Sequence, residues 1–195
     1  LQTGGRIKGT AIRDFIEWYA KTHDLERLKK AILLLPPRRQ AAFDFSHGSL
    51  GVLSSAWFDA QDMHRLIDYV TAGLSPQAYD ALALEAGSAT VRALMTGAQK
   101  IIFTRFLTPR TYATLASIAF RQNYGEGTVR SVELGPRRHQ GIVDNWNSHH
   151  PFLCRMNVAI KANLYTAMGC RNVRVEQRYC RSDGDEQCGS ILVWD

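Results

Sequence analysis

Three cysteines in the last third of the chain, Cys154, Cys180 and Cys188, stand at the spacing C-x25-C-x7-C. Thiols brought together can ligate a metal, close a disulfide or simply pack as small apolar groups. Between the last two lies Ser182-Asp183-Gly184-Asp185-Glu186, which reads as a turn in which Gly184 is free to take a positive φ. Val173-Arg174-Val175 before it and Ile191-Leu192-Val193-Trp194 after it read as strands. A hairpin there brings Cys180 beside Cys188, and Cys154 must arrive from another element. The fourth ligand is unassigned. Glu176 shares a strand face with Cys180 but lies about 13 Å along a regular strand, so both reach one metal only if the strand bulges. Asp185 and Glu186 in the turn are alternatives. A metal such as structural zinc, reduced buried thiols and a Cys180–Cys188 disulfide all stay open on these residues. Cys170, the remaining thiol, sits at a helix end on a different element.

Little else has the spacing of an active site. There is no Gly-x-Ser-x-Gly, no His-Glu-x-x-His and no phosphate-binding glycine loop. Gly125-Glu126-Gly127 ends a helix and precedes a strand, the wrong order for a dinucleotide fingerprint. No catalytic residue is named, and no enzymatic activity is expected. His23 and His64 fall on polar helix faces, His47 in a glycine-flanked loop, and His149-His150 before Pro151 read as turn residues. Trp57, Phe103, Phe106, Tyr112, Phe120 and Trp146 are the large side chains that could line a pocket for an apolar or aromatic molecule. Packing in the core is the competing role for each.

The elements that must position these groups follow from periodicity. Ile12, Phe15, Ile16 and Tyr19 mark one amphipathic helix, and Leu25, Leu28, Ile32 and Leu35 a second, stopped by Pro36-Pro37. Met63, Leu66, Ile67 and Val70 mark a third. Segments 75–86 and 88–106 read as two more, with Gly97 weakening the latter. Thr108-Pro109 is a strong start for a helix to about Gln122. Strands then follow around Val129 to Leu134 and Gln140 to Trp146, a helix from Pro151 to Gly169, and strands 172–180 and 188–194. The expected class is α+β: a helical part over about 6–122, then strand-strand-helix-strand-strand over about 128–195, forming an antiparallel sheet packed on helices within a single domain.

With 195 residues the chain can bury roughly 70% of the surface its unfolded form exposes, so a core needs no disulfide or metal. Hydrophobic content of 45% and charged content of 22% are those of a soluble globular protein. The net charge of +6 comes from scattered basic residues without a long block or a helix-turn-helix or zinc-finger spacing. Specific nucleic-acid binding is therefore the weaker reading. No apolar run is long enough to span a membrane and no secretory signal is visible. The cysteines lack the pairing of small secreted scaffolds, which points to a reducing, cytoplasmic setting. The start at Leu1 reads as a domain cut from something longer.

The last forty residues resemble the C-terminal end of the four-vinyl-reductase-type ligand-binding domain, in Gly169, the strand Val173 to Tyr179, Cys180, Gly184-Asp185, Cys188 and the closing strand through Trp194. Over roughly 50–195 the chain is similar to a paralogous family expanded in myxobacteria. That likeness rests on Trp57 before the Met63–Val70 helix, Thr108-Pro109-Arg110, Phe120 to Gly127 and Trp194. Both groups are similar in architecture to haem–nitric-oxide/oxygen-binding domains. The resemblance implies a sensory domain, often a homodimer, with a small-molecule pocket between helices and sheet. In phenol-sensing regulators of this type, cysteines matching Cys154, Cys180 and Cys188 hold a structural zinc. Their fourth ligand is a carboxylate three residues before the second cysteine, where this chain has Gln177. Haem is not expected, because the Tyr-x-Ser-x-Arg propionate motif of the haem–nitric-oxide domains is absent. A protein–protein or dimerisation module with a filled core is the alternative function.

Overall fold

The computed structural model describes residues 4–195. Strand β1 (Arg6–Lys8) pairs antiparallel with β2 (Trp57–Asp59), tying the chain start to the entry of the helix that follows β2. Between the two strands lie α1 (Gly9–Thr22), α2 (Leu25–Leu33) and the short α3 (Pro37–Gln40). The periodicity of the first two helices is realised: α1 buries Ile12, Phe15, Ile16 and Tyr19, and α2 buries Leu28 and Ile32. Asp24 caps α2 by accepting from the Glu26 amide at 2.9 Å. In α4 (Ala60–Thr71) Met63, Leu66, Ile67 and Val70 face the same core, and Asp59 caps the helix start.

Helix α5 (Pro76–Leu94) runs straight through the gap expected at residue 87, and the break falls instead before α6 (Gly97–Arg105). The reason is packing. A Cβ on Gly87 would lie 2.3 Å from the Met156 carbonyl, so this glycine lets α5 close against helix α8 (Pro151–Ala167). Gly97, with φ of +51°, takes the left-handed conformation at the true break. Helix α7 (Pro109–Asn123) starts as the sequence predicts, with Thr108 and Thr111 forming a reciprocal cap.

Four strands complete the fold: β3 (Thr128–Gly135), β4 (Arg138–Asp144), β5 (Arg174–Tyr179) and β6 (Cys188–Val193). They form one antiparallel sheet in the order β3-β4-β6-β5, packed against α7 and α8. The α+β class is as expected. β4 begins and ends about two residues earlier than the alternation suggests, leaving Trp146 outside the strand and buried at 1% exposure. Its register puts His139, Gly141 and Val143 on the buried face beside Leu192, Ser190 and Cys188 of β6. Among the described residues no helix is long and apolar enough to cross a membrane.

Candidate metal centre

Helix α8 sets the first ligand. His150 is its N-cap, accepting from the Phe152 amide through Nδ1 at 3.2 Å, and Pro151 fills the first turn. Cys154 follows one turn in, buried and facing the sheet. The β5–β6 hairpin supplies the second and third. Gly184 takes φ of +96° in its turn, and the Asp185 carboxylate accepts from the Cys180 amide at 2.8 Å. That closure sets Cys180 at the exit of β5 and Cys188 at the entry of β6, both buried.

His149 provides a fourth group. Its side-chain nitrogen and the sulfurs of Cys154, Cys180 and Cys188 all lie within 4.8 Å of one another. The loop that carries it is held from both sides: the His149 amide donates to the Trp146 carbonyl at 3.2 Å, and Arg181 Nη1 donates to the same carbonyl at 3.0 Å. Cys180 Sγ is 3.6 Å from His149 Nε2, and Cys154 Sγ is 3.2 Å from Cys188 Sγ. A tetrahedral zinc with ordinary bond lengths sets sulfur–nitrogen separations of about 3.5 Å and sulfur–sulfur separations of about 3.8 Å. The cluster has that scale, so a buried Cys3His set is present that can take a metal such as zinc.

Cys154 and Cys188 are hydrogen-bonded to each other through their sulfurs. The Cys154 thiol donates to the Cys188 sulfur, which raises the one pKa and lowers the other; His149 and the Arg181 amide further favour the Cys188 thiolate. All four cysteines are free thiols, and the close pair is Cys154–Cys188 rather than the Cys180–Cys188 disulfide considered from sequence.

Glu176 does not join the cluster. Its exposed carboxylate pairs with Arg178 at 2.8 Å, because outward positions of β5 face away from α8. His149 was hidden by its setting: a histidine beside Pro151 reads as a turn residue. The usable signal was its place five residues before Cys154, at the mouth of the helix that carries that cysteine. His64 also leaves its expected polar face, with Nε2 3.1 Å from the Ser148 carbonyl.

The six large side chains proposed for a pocket fall into separate places. Trp57 lies on β2 under the Arg6 and Lys8 cations. Phe103 meets Tyr112 at 6.3 Å between ring centroids. Tyr112 continues edge-on to Tyr165, then to His139 and Trp194, and burial pushes its phenol up to about 12. Phe120 packs on Trp146 at 5.7 Å, next to the Cys3His cluster through the Trp146–His149 contact. Phe106 points outward, 73% exposed.

No family model matches the chain, and no curated protein matches it in sequence. In three dimensions it is similar to the unliganded Fe(II) H-NOX protein of K. algicida, with a TM-score of 0.71 at 12% identity and 97% of each chain covered. The H-NOX protein of S. oneidensis in the Fe(II)NO state gives 0.69 at 9% identity, covering 97% of this chain and 99% of that one. A point mutant of T. tengcongensis H-NOX gives 0.68 at 7%, covering 97% and 98%. The fold is of the H-NOX type.

Haem is the group such a fold implies, and the residues present do not fit it. An axial imidazole needs a free nitrogen facing an open apolar slot. The buried His139 bonds Tyr165 through Nδ1, which leaves Nε2, but its ring packs edge-on between Trp194 and Tyr165 at 4.9 and 5.9 Å rather than facing an open slot. His64 bonds the Ser148 carbonyl, His150 is engaged through both ring nitrogens, and His149 faces the sulfurs. His23 and His47 sit beside the carboxylates of Glu85 and Asp44 at the surface.

Proposed function

We propose that the chain is a small-molecule-binding sensory or regulatory domain, with no chemistry of its own, whose sheet end is pinned by a structural zinc on His149, Cys154, Cys180 and Cys188. Zinc at this place would join the start of α8 to the β5–β6 hairpin, whose two strands are already held to each other by their antiparallel ladder. It supplies cohesion, since four protein ligands leave no open coordination position for a reactant. The four-vinyl-reductase-type and myxobacterial likenesses of the sequence agree with a receptor role.

The observation that carries the ligand-binding part is apolar surface without cover. Ile101 and Ile102 on α6, Leu115 and Ile118 on α7, and Val132 and Leu134 on β3 are each exposed by 41% or more. Val132, paired with Gln140, stands on the other face of the sheet, whereas Ile101, Ile102, Leu115 and Ile118 share their two helices with Phe103 and Tyr112. An apolar or aromatic molecule seated there would order α6 and α7 against the sheet and so change what the domain presents to a partner. Native mass spectrometry of the purified protein, followed by thermal melts against phenols and fatty acids, tests this. A true ligand at a hundred times its Kd stabilises by about 2.7 kcal/mol; no mass adduct and no shifted melt would end the proposal.

The same exposed side chains favour a second reading, a homodimer or adaptor surface. A second copy burying more than about 1,000 Å² would cover them without any ligand. Sedimentation over a concentration series separates the two: a dimer that forms without ligand and silences the thermal response supports the second.

A further inference from the structure

Lys161 lies on α8 seven residues beyond Cys154, two turns along the same face. Its ammonium reaches the inner face of the sheet and donates to Ser190 Oγ at 2.7 Å. The sheet makes room for it. Gln177 of β5, Ser190 of β6 and Gly141 of β4 pair in one row across the strands, and a Cβ on Gly141 would lie 3.4 Å from Lys161 Nζ. The neighbouring buried rows hold Leu192 with His139 and Cys188 with Val143, so this small polar row is an interruption fitted to one cation.

Among the described residues that cation has no carboxylate partner. A half-buried ammonium answered only by a hydroxyl is costly unless an anion stands near. The void beside it, about 20 Å³ and lined by Cys154, Cys188, Asn157, Gln177 and Trp146, opens toward the cysteine cluster and has room for one water. Two polar atoms on residues that line the void, Trp146 Nε1 and Gln177 Oε1, have no hydrogen-bond partner among the described residues. A dication on three thiolates and a neutral imidazole leaves a net charge of −1. We infer that Lys161 is the counter-charge of the metal centre, balancing the tris-thiolate site from inside the helix–sheet layer so that the occupied site is buried as a neutral unit.

This rests on the metal reading above. It explains why a lysine, rather than an apolar residue of the same length, stands at this position on α8.

The test is zinc and cobalt(II) affinity of the full chain by chelator competition, with the cobalt–thiolate absorption as an independent readout. Wild type is compared with Lys161→Met, Lys161→Arg and the exposed control Lys100→Met. Lys161→Met is expected to bind either metal about 10–100-fold more weakly, with an unchanged cobalt–thiolate spectrum once saturated. Lys161→Arg, which keeps the charge, should recover most of the loss, and Lys100→Met should match wild type. A Lys161→Met protein that binds as tightly as wild type overturns the inference while leaving the metal centre standing, as does an Arg variant no better than Met. A wild-type protein that takes neither metal removes the centre and the counter-charge together. Urea unfolding of the metal-free variants guards against misfolding: a Lys161→Met protein whose weaker binding is matched by lost metal-free stability also counts against the charge role.

Discussion

Helices α1, α2, α4 and α5 and the pair α6–α7 carry apolar side chains at helical spacing, yet they meet opposite fates. The first group encloses Ile16, Leu28, Ile32, Leu66 and Ile67 at essentially zero exposure, with Phe152 of α8 closing the cluster. Helices α6 and α7 bury no residue fully. The first region also exposes Leu33 and Leu84, but it encloses a core, whereas α6 and α7 leave Ile101, Ile102, Leu115 and Ile118 exposed and bury none of their residues. Packing is thereby unevenly distributed between the two regions. The enclosed core holds the fold, and the helices with little packing are the ones whose position can change at low cost.

The difference predicts a steep gradient in mutational cost. Phe152 is the largest target: it is fully buried and packs edge-on against both Phe15 and Tyr79. Phe152→Ala should destabilise by about 3–5 kcal/mol in urea unfolding, through lost transfer energy and the cavity left behind. A loss below about 1 kcal/mol, the range of ordinary surface changes, would mean the helical core is not the stable half.

The Cys3His cluster comes next, and its cysteines belong to the enclosed side. If zinc is present at a thousand times its Kd, removing it with a chelator costs about 4 kcal/mol of stability. Cys188→Ser and His149→Ala should each release the metal and lower the melting temperature to that of chelated wild type. Ser182→Ala, which loses only a hydroxyl 3.4 Å from both Cys180 Sγ and His149 Nε2, should leave metal content unchanged.

A third effect is set by pH. Burial holds His64, His139 and His150 below the ordinary histidine value. Each binds a proton more readily when unfolded, so stability is fully present above about pH 6.5 and is lost as pH falls below it. His150 has a geometric stake, since protonation of Nδ1 would abolish the acceptor that caps α8. His150→Asn keeps a capping group without the titration. It should flatten part of the acid slope in melts taken from about pH 7.5 to about pH 5, a window that brackets the ordinary histidine value. A slope that is unchanged would assign the effect to the other two.

How much of this was legible in the sequence follows from the same contrast. Regular periodicity marked α1, α2 and α4, because one buried face repeats along each helix; the four-stranded sheet was legible from apolar runs between turn residues although its first strand does not alternate strictly, and the β1–β2 pair was not anticipated. The cap of α7 was visible as Thr108-Pro109 because capping is local. The α5 boundary was not, since Gly87 serves a tertiary contact with α8 that looks like a helix break when the partner is unseen. In the site, Cys180 and Cys188 were joined by a turn that the sequence spells out. His149 and Lys161 were not visible, because one depends on how a loop folds back past Trp146 and the other on the register of three strands. Glu176 failed because the register of β5 shifts between Gln177 and Tyr179, so the buried Cys180 no longer shares its outward face.

The smallest expected effect is the most informative about the open side. Ile118 on α7 is 48% exposed, and nothing in the enclosed core touches it closely enough to count it a member. Ile118→Ser should therefore change the stability of the ligand-free protein by no more than about 0.5 kcal/mol. In the presence of a bound apolar molecule the same substitution should lower the stabilisation that ligand confers, because the side chain then has a partner to lose. Paired melts of wild type and Ile118→Ser, each with and without the compound found to bind, make the comparison directly. An Ile118→Ser protein that is strongly destabilised without ligand would place α7 in the core after all. One that responds to ligand as wild type does would move the binding surface elsewhere on the domain.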